Sequence, residues 1–229
     1  MKFPFKMIDL THPIAPNSPS WDGHCGFEHK IIWDYDACDT DVKFRVQTIQ
    51  MAAGMGTHID APAHCVAGGK TIENLSLDSL LSPCIMINVS KHMHENYQLT
   101  AEDIKVFERE FGQIEKQSFV IIHTGWSQFW DNPVRYRNQL QFPSISFDAV
   151  TLLLKRNIAG LGIDTLSPDT PQSGYPIHQA ILGEGKYIIE NIANAIQLPP
   201  IGSFSLALPI FTIGGTEAPI RLVVFVKKQ

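Results

Sequence analysis

The chain has 229 residues, of which 44% are hydrophobic and 18% are charged, and its formal net charge is −5. This length fits one domain with a sizeable core, and the composition excludes a disordered chain. The longest basic run is Lys227-Lys228, which excludes the charge footprint of a nucleic-acid-binding protein. No stretch approaches the roughly 20 apolar residues of a membrane span. We therefore expect a single domain over residues 1–229, with neither nucleic acid nor a membrane as its partner.

The N-terminal segment and the cysteines indicate a cytoplasmic protein. Pro4 and Asp9 interrupt the apolar run that a signal peptide would need. The four cysteines form no CxxC pair, which favours reduced thiols over a disulfide framework. They are Cys25, Cys38, Cys65 and Cys84.

The first third of the chain contains a predicted loop and a predicted strand. Residues 12–26 are rich in Pro, Gly and Ser, which is typical of a long ordered loop. Apolar residues then alternate with polar ones at Val42, Phe44 and Val46. This alternation predicts a half-buried strand that runs on into the segment around Gly54.

The remainder of the chain alternates between short apolar runs and amphipathic segments. The apolar runs predict strands at residues 84–90, 118–124, 158–164, 203–211 and 219–226. Start and stop signals predict helices at residues 100–111, 146–157 and 176–182. We therefore expect an α/β domain with a mixed, curved central β-sheet that forms a partial barrel flanked by helices.

The segment "GMGTHIDAPAH", residues 54–64, has the residue types of a metal site. In an extended chain His58 and Asp60 share one face, about 7 Å apart. Pro62 keeps the preceding residue extended, so His64 returns near the same face. An imidazole together with a carboxylate suits zinc or manganese. The alternative is a surface strand that contains two histidines, but three such groups within seven residues favour the metal site.

A second polar pair lies far downstream in the sequence. His178 is part of a predicted helix, and Glu190 follows two isoleucines, where a lone acid is costly unless it is paired or bound. Together with His58 and Asp60 they make a set of two imidazoles and two carboxylates. Such a set could hold one ion, or two ions about 3.5–4 Å apart if a carboxylate bridges them.

These motifs resemble the cyclase-like superfamily of metal hydrolases, which includes bacterial kynurenine formamidase and isatin hydrolase. The family pattern is H-x-G-T-H-x-D-x-P-x-H, and residues 162–194 and 208–224 also look familial. The resemblance implies that His58 and Asp60 bind one metal. It also implies that Asp60 and Glu190 bridge to a second metal that His178 holds.

The same resemblance implies roles for two further residues, an activity and an assembly. His64 would be the general acid/base, and Trp21 would lie against the substrate. The implied reaction is hydrolysis of a small amide, most like N-formylkynurenine to kynurenine and formate, with a cyclic amide such as isatin as the alternative. The implied fold is α/β around a curved sheet, and the implied assembly is a homodimer or homotetramer.

The sequence departs from the family pattern at Gly54, where the pattern has its first histidine. Three outcomes stay open. The site could work with one metal, or another histidine could substitute for the absent one, with His24 ahead of His29 and His123. Otherwise the protein has lost catalysis and keeps only a small-molecule binding pocket.

A cysteine hydrolase that uses Cys65 and His64 is a further alternative. Neighbouring side chains on a strand point to opposite faces, so this pairing is geometrically poor. We therefore expect Cys65 to be a small buried residue.

Overall fold

The computed structural model of the protein describes residues 3–228. Twelve strands lie in this range: β1 (Phe5–Asp9), β2 (Glu28–Trp33), β3 (Val46–Gln50), β4 (His58–Asp60), β5 (Leu81–Asn88), β6 (Gln98–Leu99), β7 (Phe119–His123), β8 (Ser144–Ile145), β9 (Gly160–Ile163), β10 (Tyr187–Glu190), β11 (Ser203–Pro209) and β12 (Glu217–Lys227). The α-helices of the same range are α1 (Leu77–Leu80), α2 (Ala101–Phe111), α3 (Pro133–Arg137), α4 (Phe147–Lys155) and α5 (Pro176–Gly183). The predicted α/β class is confirmed.

The main sheet closes on itself into a seven-stranded barrel. Its strands follow the order β12-β11-β5-β7-β9-β10-β4, and β4 pairs with β12 to complete the ring. Strand β1 adds to β12 from outside the ring. The strands from β5 through β7 and β9 to β10 are parallel, whereas the pairs made by β4, β11 and β12 are antiparallel. The mixed sheet was predicted correctly, but the barrel is closed rather than partial.

Alternation along the strands fills both sides of the barrel wall. In β7, Phe119 and Ile121 belong to an inner apolar cluster that none of the helices α2, α4 and α5 reaches. Val120 and Ile122 belong to a second cluster that those helices share. The barrel therefore has a filled interior and an outer helical layer, and the candidate site lies on the outer side of the wall.

Local signals fix the ends of the outer helices. The Thr100 side chain accepts a hydrogen bond from the Asp103 backbone, and the Asp103 side chain accepts one from the Thr100 backbone, so α2 begins with a full capping box. Ser146 caps α4 by accepting from the backbone of Ala149. Pro176 opens α5, where a missing amide hydrogen costs nothing. The three predicted helices are confirmed, as are the five strands predicted between residues 84 and 226.

The strand predicted from Val42 into the segment around Gly54 is wrong in extent and in burial. It begins at Val46, ends at Gln50, and every one of its residues is exposed. The reason is its partner, because β3 pairs only with β2 in a separate two-stranded sheet. Apolar alternation marks a strand, but no part of the described chain covers this one.

All four cysteines are free thiols, as the sequence predicted, but Cys65 is exposed rather than buried. Within residues 3–228, no helix combines the length and the apolar character needed to cross a membrane.

Candidate metal centre

Three adjacent strands bring four polar side chains to one face of the barrel wall. In the ladder between β4 and β10, Glu190 lies opposite His58. In the ladder between β4 and β12, Glu217 lies opposite Asp60. Because side chains two apart share a face, all four project from the outer side of the wall. Their neighbours in sequence point into the barrel: Ile59, Ile189 and Ala218.

Helix α5 places His178 over these strands. The residue lies in the first turn of the helix, and Asp169 holds this turn by accepting hydrogen bonds from the backbone amides of Ile177 and His178, at 3.2 and 3.0 Å. The same carboxylate lies 2.8 Å from Nδ1 of His178. Since a carboxylate only accepts, Nδ1 carries the hydrogen and Nε2 is directed at the strands.

The two imidazoles converge on the same pair of carboxylates. His58 Nε2 lies 3.5 Å from Asp60 Oδ1 and 3.4 Å from Glu190 Oε2. His178 Nε2 lies 3.3 Å from Glu190 Oε1 and 3.7 Å from Asp60 Oδ2. Ligand atoms placed about 2.0–2.1 Å from a zinc ion in a tetrahedron lie about 3.3–3.4 Å apart, so the observed spacings are those of a metal site.

A backbone carbonyl orients His58 in the same way that Asp169 orients His178. His58 Nδ1 lies 3.0 Å from the carbonyl oxygen of Gly56. Gly56 has a φ of +68°, in the left-handed region that favours glycine, and this turn aims its carbonyl at the imidazole. Asn191 also donates to that oxygen, at 2.9 Å, which fixes the carbonyl. Both imidazoles therefore present Nε2 to the centre.

The burial of the two carboxylates costs free energy that contacts within the described chain offset only in part. Burial raises the pKa of Asp60, and the charge of Glu190 raises it further, to about 6. Asp60 Oδ1 and Glu190 Oε1 are buried without a hydrogen-bond partner. Burial lowers the pKa of His178, but the contacts with Asp169 and Glu190 outweigh it and raise the pKa to about 11. Unpartnered buried carboxylate oxygens of this kind call for a cation.

Among the described residues, two sets of three side chains could each hold a metal ion. One set is His58, Asp60 and Glu217, and the other is Asp60, His178 and Glu190. Within each set the ligand atoms lie within 4.8 Å of one another. Asp60 belongs to both sets, which is the position of a bridging carboxylate. The donor atoms fit a divalent cation bound by nitrogen and oxygen.

His64 lies beside this cluster. It ends a 3-10 turn, Pro62–His64, that follows β4. The sequence predicted an extended backbone through Pro62, but the backbone is extended only as far as Ala61. His64 Nδ1 is 3.5 Å from Glu217 Oε2, and contact with Glu217 raises the pKa of His64. Its ring centroid is 6.0 Å from that of His178. The imidazole is close enough to exchange a proton with a molecule held over the cluster.

A pocket of about 540 Å³ opens over these groups. Trp21 lines it, and Tyr175 lies next to Trp21 with the ring centroids 6.2 Å apart. Cys65 also lines the pocket, but desolvation by the surrounding protein raises the pKa of its thiol. A raised pKa disfavours the thiolate that a cysteine nucleophile needs, which argues against the cysteine hydrolase.

Three histidines could have substituted for the one absent at position 54, but none of them lines the pocket: His24, His29 and His123. His24 is an exposed residue of the segment that leads into β2, and His29 is an exposed residue of β2 itself. His123 is buried at the end of β7, where its Nδ1 lies 3.0 Å from Asp164 Oδ2. Gly54 does line the pocket, and the side chain beside it is the carboxylate of Glu217.

Sequence reasoning missed Glu217 and Asp169. Glu217 stands in "GGTEAPIR", and the predicted strand began at residue 219, two residues after the observed start of β12. A lone acid at the edge of a strand was the available signal. Asp169 lies nine residues before His178, and an acid just upstream of a helix that carries a candidate ligand was the corresponding signal there.

Comparison with known proteins extends these observations over the whole chain. A sequence model of the Cyclase family matches residues 8–170. The kynurenine formamidase of Salinibacter ruber is 25% identical, over 95% of this chain and 96% of that protein. The structure of isatin hydrolase A from Ralstonia solanacearum has a TM-score of 0.89 and 28% identity, covering 97% of this chain and 92% of that one. A structure described as a potential metal-dependent hydrolase with cyclase activity has a TM-score of 0.77 and 28% identity, covering 98% and 100%.

Proposed function

The chain belongs to the Cyclase family, and we propose that it is a metal-dependent hydrolase of a small aryl amide. Kynurenine formamidase and isatin hydrolase, the activities named for its relatives, both open an amide C–N bond with water. The observation that carries the proposal is the convergence of two imidazole Nε2 atoms on Asp60 and Glu190 at one end of the pocket, with His64 beside them.

Asp60, Glu190 and the two histidines would hold the metal, zinc or manganese, as one or two ions. A divalent cation there supplies Lewis-acid polarisation of a carbonyl and lowers the pKa of water from about 15.7 towards 7. Asp169 and the Gly56 carbonyl hold a hydrogen on Nδ1 of each imidazole, so Nε2 is the nitrogen that a metal would bind once it has lost its proton.

His64 carries the proton transfers of the proposed reaction. Its imidazole takes the proton of the attacking water and returns a proton to the nitrogen of the leaving amine as the C–N bond breaks. Glu217, 3.5 Å from Nδ1, holds the ring so that Nε2 is available for these transfers. The pair gives His64 a fixed orientation at the edge of the pocket, where product amine can leave.

The pocket favours a substrate with one aromatic ring. A volume of about 540 Å³ is within the range of about 300–1,000 Å³ that is typical of small-molecule sites. Trp21 and Tyr175 offer ring faces on which an aryl group can stack. N-formylkynurenine fits this description, and the likeness to isatin hydrolase favours isatin as the second candidate.

A direct assay tests the proposal. Metal-stripped protein reloaded with Zn²⁺ or Mn²⁺ is incubated with N-formylkynurenine, isatin and formanilide, and product is measured. We expect hydrolysis of at least one of them that EDTA abolishes and added metal restores. Metal-independent turnover, or none with any of the three at full metal occupancy, would refute the function.

We also propose that the protein assembles as a homodimer or homotetramer, as the family resemblance implies. The sheet of β2 and β3 supports this, because a lone two-stranded sheet is marginal in water. Its apolar side chains are exposed, among them Ile32 at 53% and Ile49 at 60%, and contact with a second copy would cover them. Light scattering should report a multimer for the wild type and monomer for Ile32→Glu. A monomeric wild type would contradict the proposal.

A further inference from the structure

We infer that Glu217 is a metal ligand, and that position 54 is glycine because the carboxylate of Glu217 occupies the space a side chain there would fill. The inference rests on the metal dependence proposed above. It assigns the first metal set as His58, Asp60 and Glu217, and it gives the strand pairing of β12 with β4 a direct part in the site.

The position of Glu217 follows from the closure of the barrel. Strand β12 starts with this residue and lies antiparallel to β4, with Glu217 opposite Asp60. The two carboxylates therefore leave the wall side by side on its outer face. A carboxylate oxygen of Glu217 lies within 4.8 Å of the ligand atoms of His58 and Asp60. The strand pairing itself places the three groups together, so no conformational change is needed to form the set.

In its present position the Glu217 carboxylate leaves no room for a side chain at position 54. A Cβ atom added at Gly54 would overlap Glu217 Oε1 and would lie 3.4 Å from His58 Nε2. Gly54 is not among the glycines with a left-handed φ, so its backbone does not require glycine. The conflict is steric. Because Glu217 Oε1 ends a flexible side chain, it excludes a side chain at position 54 only while the carboxylate is held in place, as a metal ligand would be.

The two oxygens of Glu217 have different neighbours. Oε1 lies beside Gly54, whereas Oε2 lies 3.5 Å from Nδ1 of His64. Glu217 can therefore bind a metal through one oxygen and orient His64 through the other. The competing explanation is that Glu217 only orients His64. This explanation leaves His58 and the unpartnered Asp60 Oδ1 with only Glu190 Oε2, 3.4 Å from His58 Nε2, as a third ligand group, and the second metal set also uses the Glu190 carboxylate.

Metal stoichiometry separates the two explanations without relying on activity. Zn²⁺ is titrated into metal-stripped protein by calorimetry, and bound metal is counted by mass spectrometry after dialysis. We expect two equivalents in the wild type and in His64→Ala, and one in Glu217→Ala. If Glu217 only orients His64, both variants keep two equivalents and the inference fails. A wild type that binds one equivalent also overturns it, whereas a wild type that binds none refutes the proposed function instead.

A reciprocal substitution distinguishes the loss of a metal ligand from misfolding of the Glu217→Ala variant. In Glu217→Ala the space beside Gly54 is open, so Gly54→His in that background should restore the second equivalent. Gly54→His alone meets the carboxylate and should gain no metal over the wild type. The thermal midpoints of the metal-stripped variants verify folding. If the double variant is folded and still binds one equivalent, a histidine at position 54 does not replace the carboxylate at position 217 as a ligand, and the inference is refuted.

Discussion

Nδ1 of His178 lies 2.8 Å from Oδ2 of Asp169, and this contact decides which nitrogen of the imidazole faces the carboxylates of the barrel wall. Asp169 is itself 1% exposed and also holds the first turn of α5 through two backbone amides. One carboxylate therefore positions both the helix and the ligand that the helix carries. Partners of this kind fix the tautomer of a metal-binding histidine and raise its basicity.

Asp169→Asn should lower metal affinity by about 10–100-fold. The amide keeps the size of the carboxylate but removes its charge and replaces one accepting oxygen with a donor, which opposes hydrogen on Nδ1 of His178. Zinc titration of the metal-stripped variant measures the effect. Asp148→Asn, an exposed aspartate at the start of α4, is the matched control and should bind as the wild type does. An unchanged affinity in Asp169→Asn would show that the helix alone orients His178.

Asp60 and Glu190 should differ in how much metal their loss removes. Asp60 belongs to both sets of three side chains, and Glu190 to one. Asp60→Ala should therefore abolish metal binding, whereas Glu190→Ala should leave one equivalent. Metal content after dialysis decides this, with the exposed Glu102→Ala as control. Equal losses in both variants would mean that Glu190 also bridges, through the oxygen 3.4 Å from His58.

His64→Ala should lose most of the turnover while it keeps its metal. General acid–base groups typically contribute about 10²–10⁴-fold to rate, and the side chain is not part of either metal set. Turnover and metal content are measured on the same preparation. Cys65→Ser, at the neighbouring position, should keep the wild-type rate. If Cys65→Ser is the inactive variant, the cysteine mechanism is correct and the assignment of His64 is wrong.

Metal affinity should rise with pH, and binding should release protons. Burial lowers the pKa of both imidazoles, but contacts with Asp169 and Glu190 raise that of His178 to about 11, and the charges of Asp60 and Glu190 raise that of His58 above its ordinary value. His178 therefore holds an extra proton near neutral pH in the metal-free protein, and a metal must displace it. Zinc titrations from about pH 6 to about pH 8, in two buffers of different ionisation enthalpy, count the protons. A zinc affinity that falls as pH rises would contradict this prediction.

Much of the barrel could be predicted from the sequence because its elements are marked locally. The apolar runs that became β7 and β9 are continuous, since strands covered on both faces have no polar side. The helix starts at Thr100 and Ser146 rest on hydrogen bonds between residues three apart. The sequence also predicted that His58 and Asp60 form a pair, because the alternation of side chains along one strand does not depend on the strands beside it.

The tertiary structure decided which distant residues complete the site. Glu217 reaches His58 only because β12 closes the barrel against β4, and Asp169 reaches His178 only through the loop before α5. It also decided that β3 stands apart from the barrel, although its alternation resembles that of a covered strand. Periodicity along a strand is set by the backbone within that strand, so the sequence alone determined which residues share a face. Which strand lies alongside is set by packing across the whole chain, and that pairing placed a carboxylate beside Gly54.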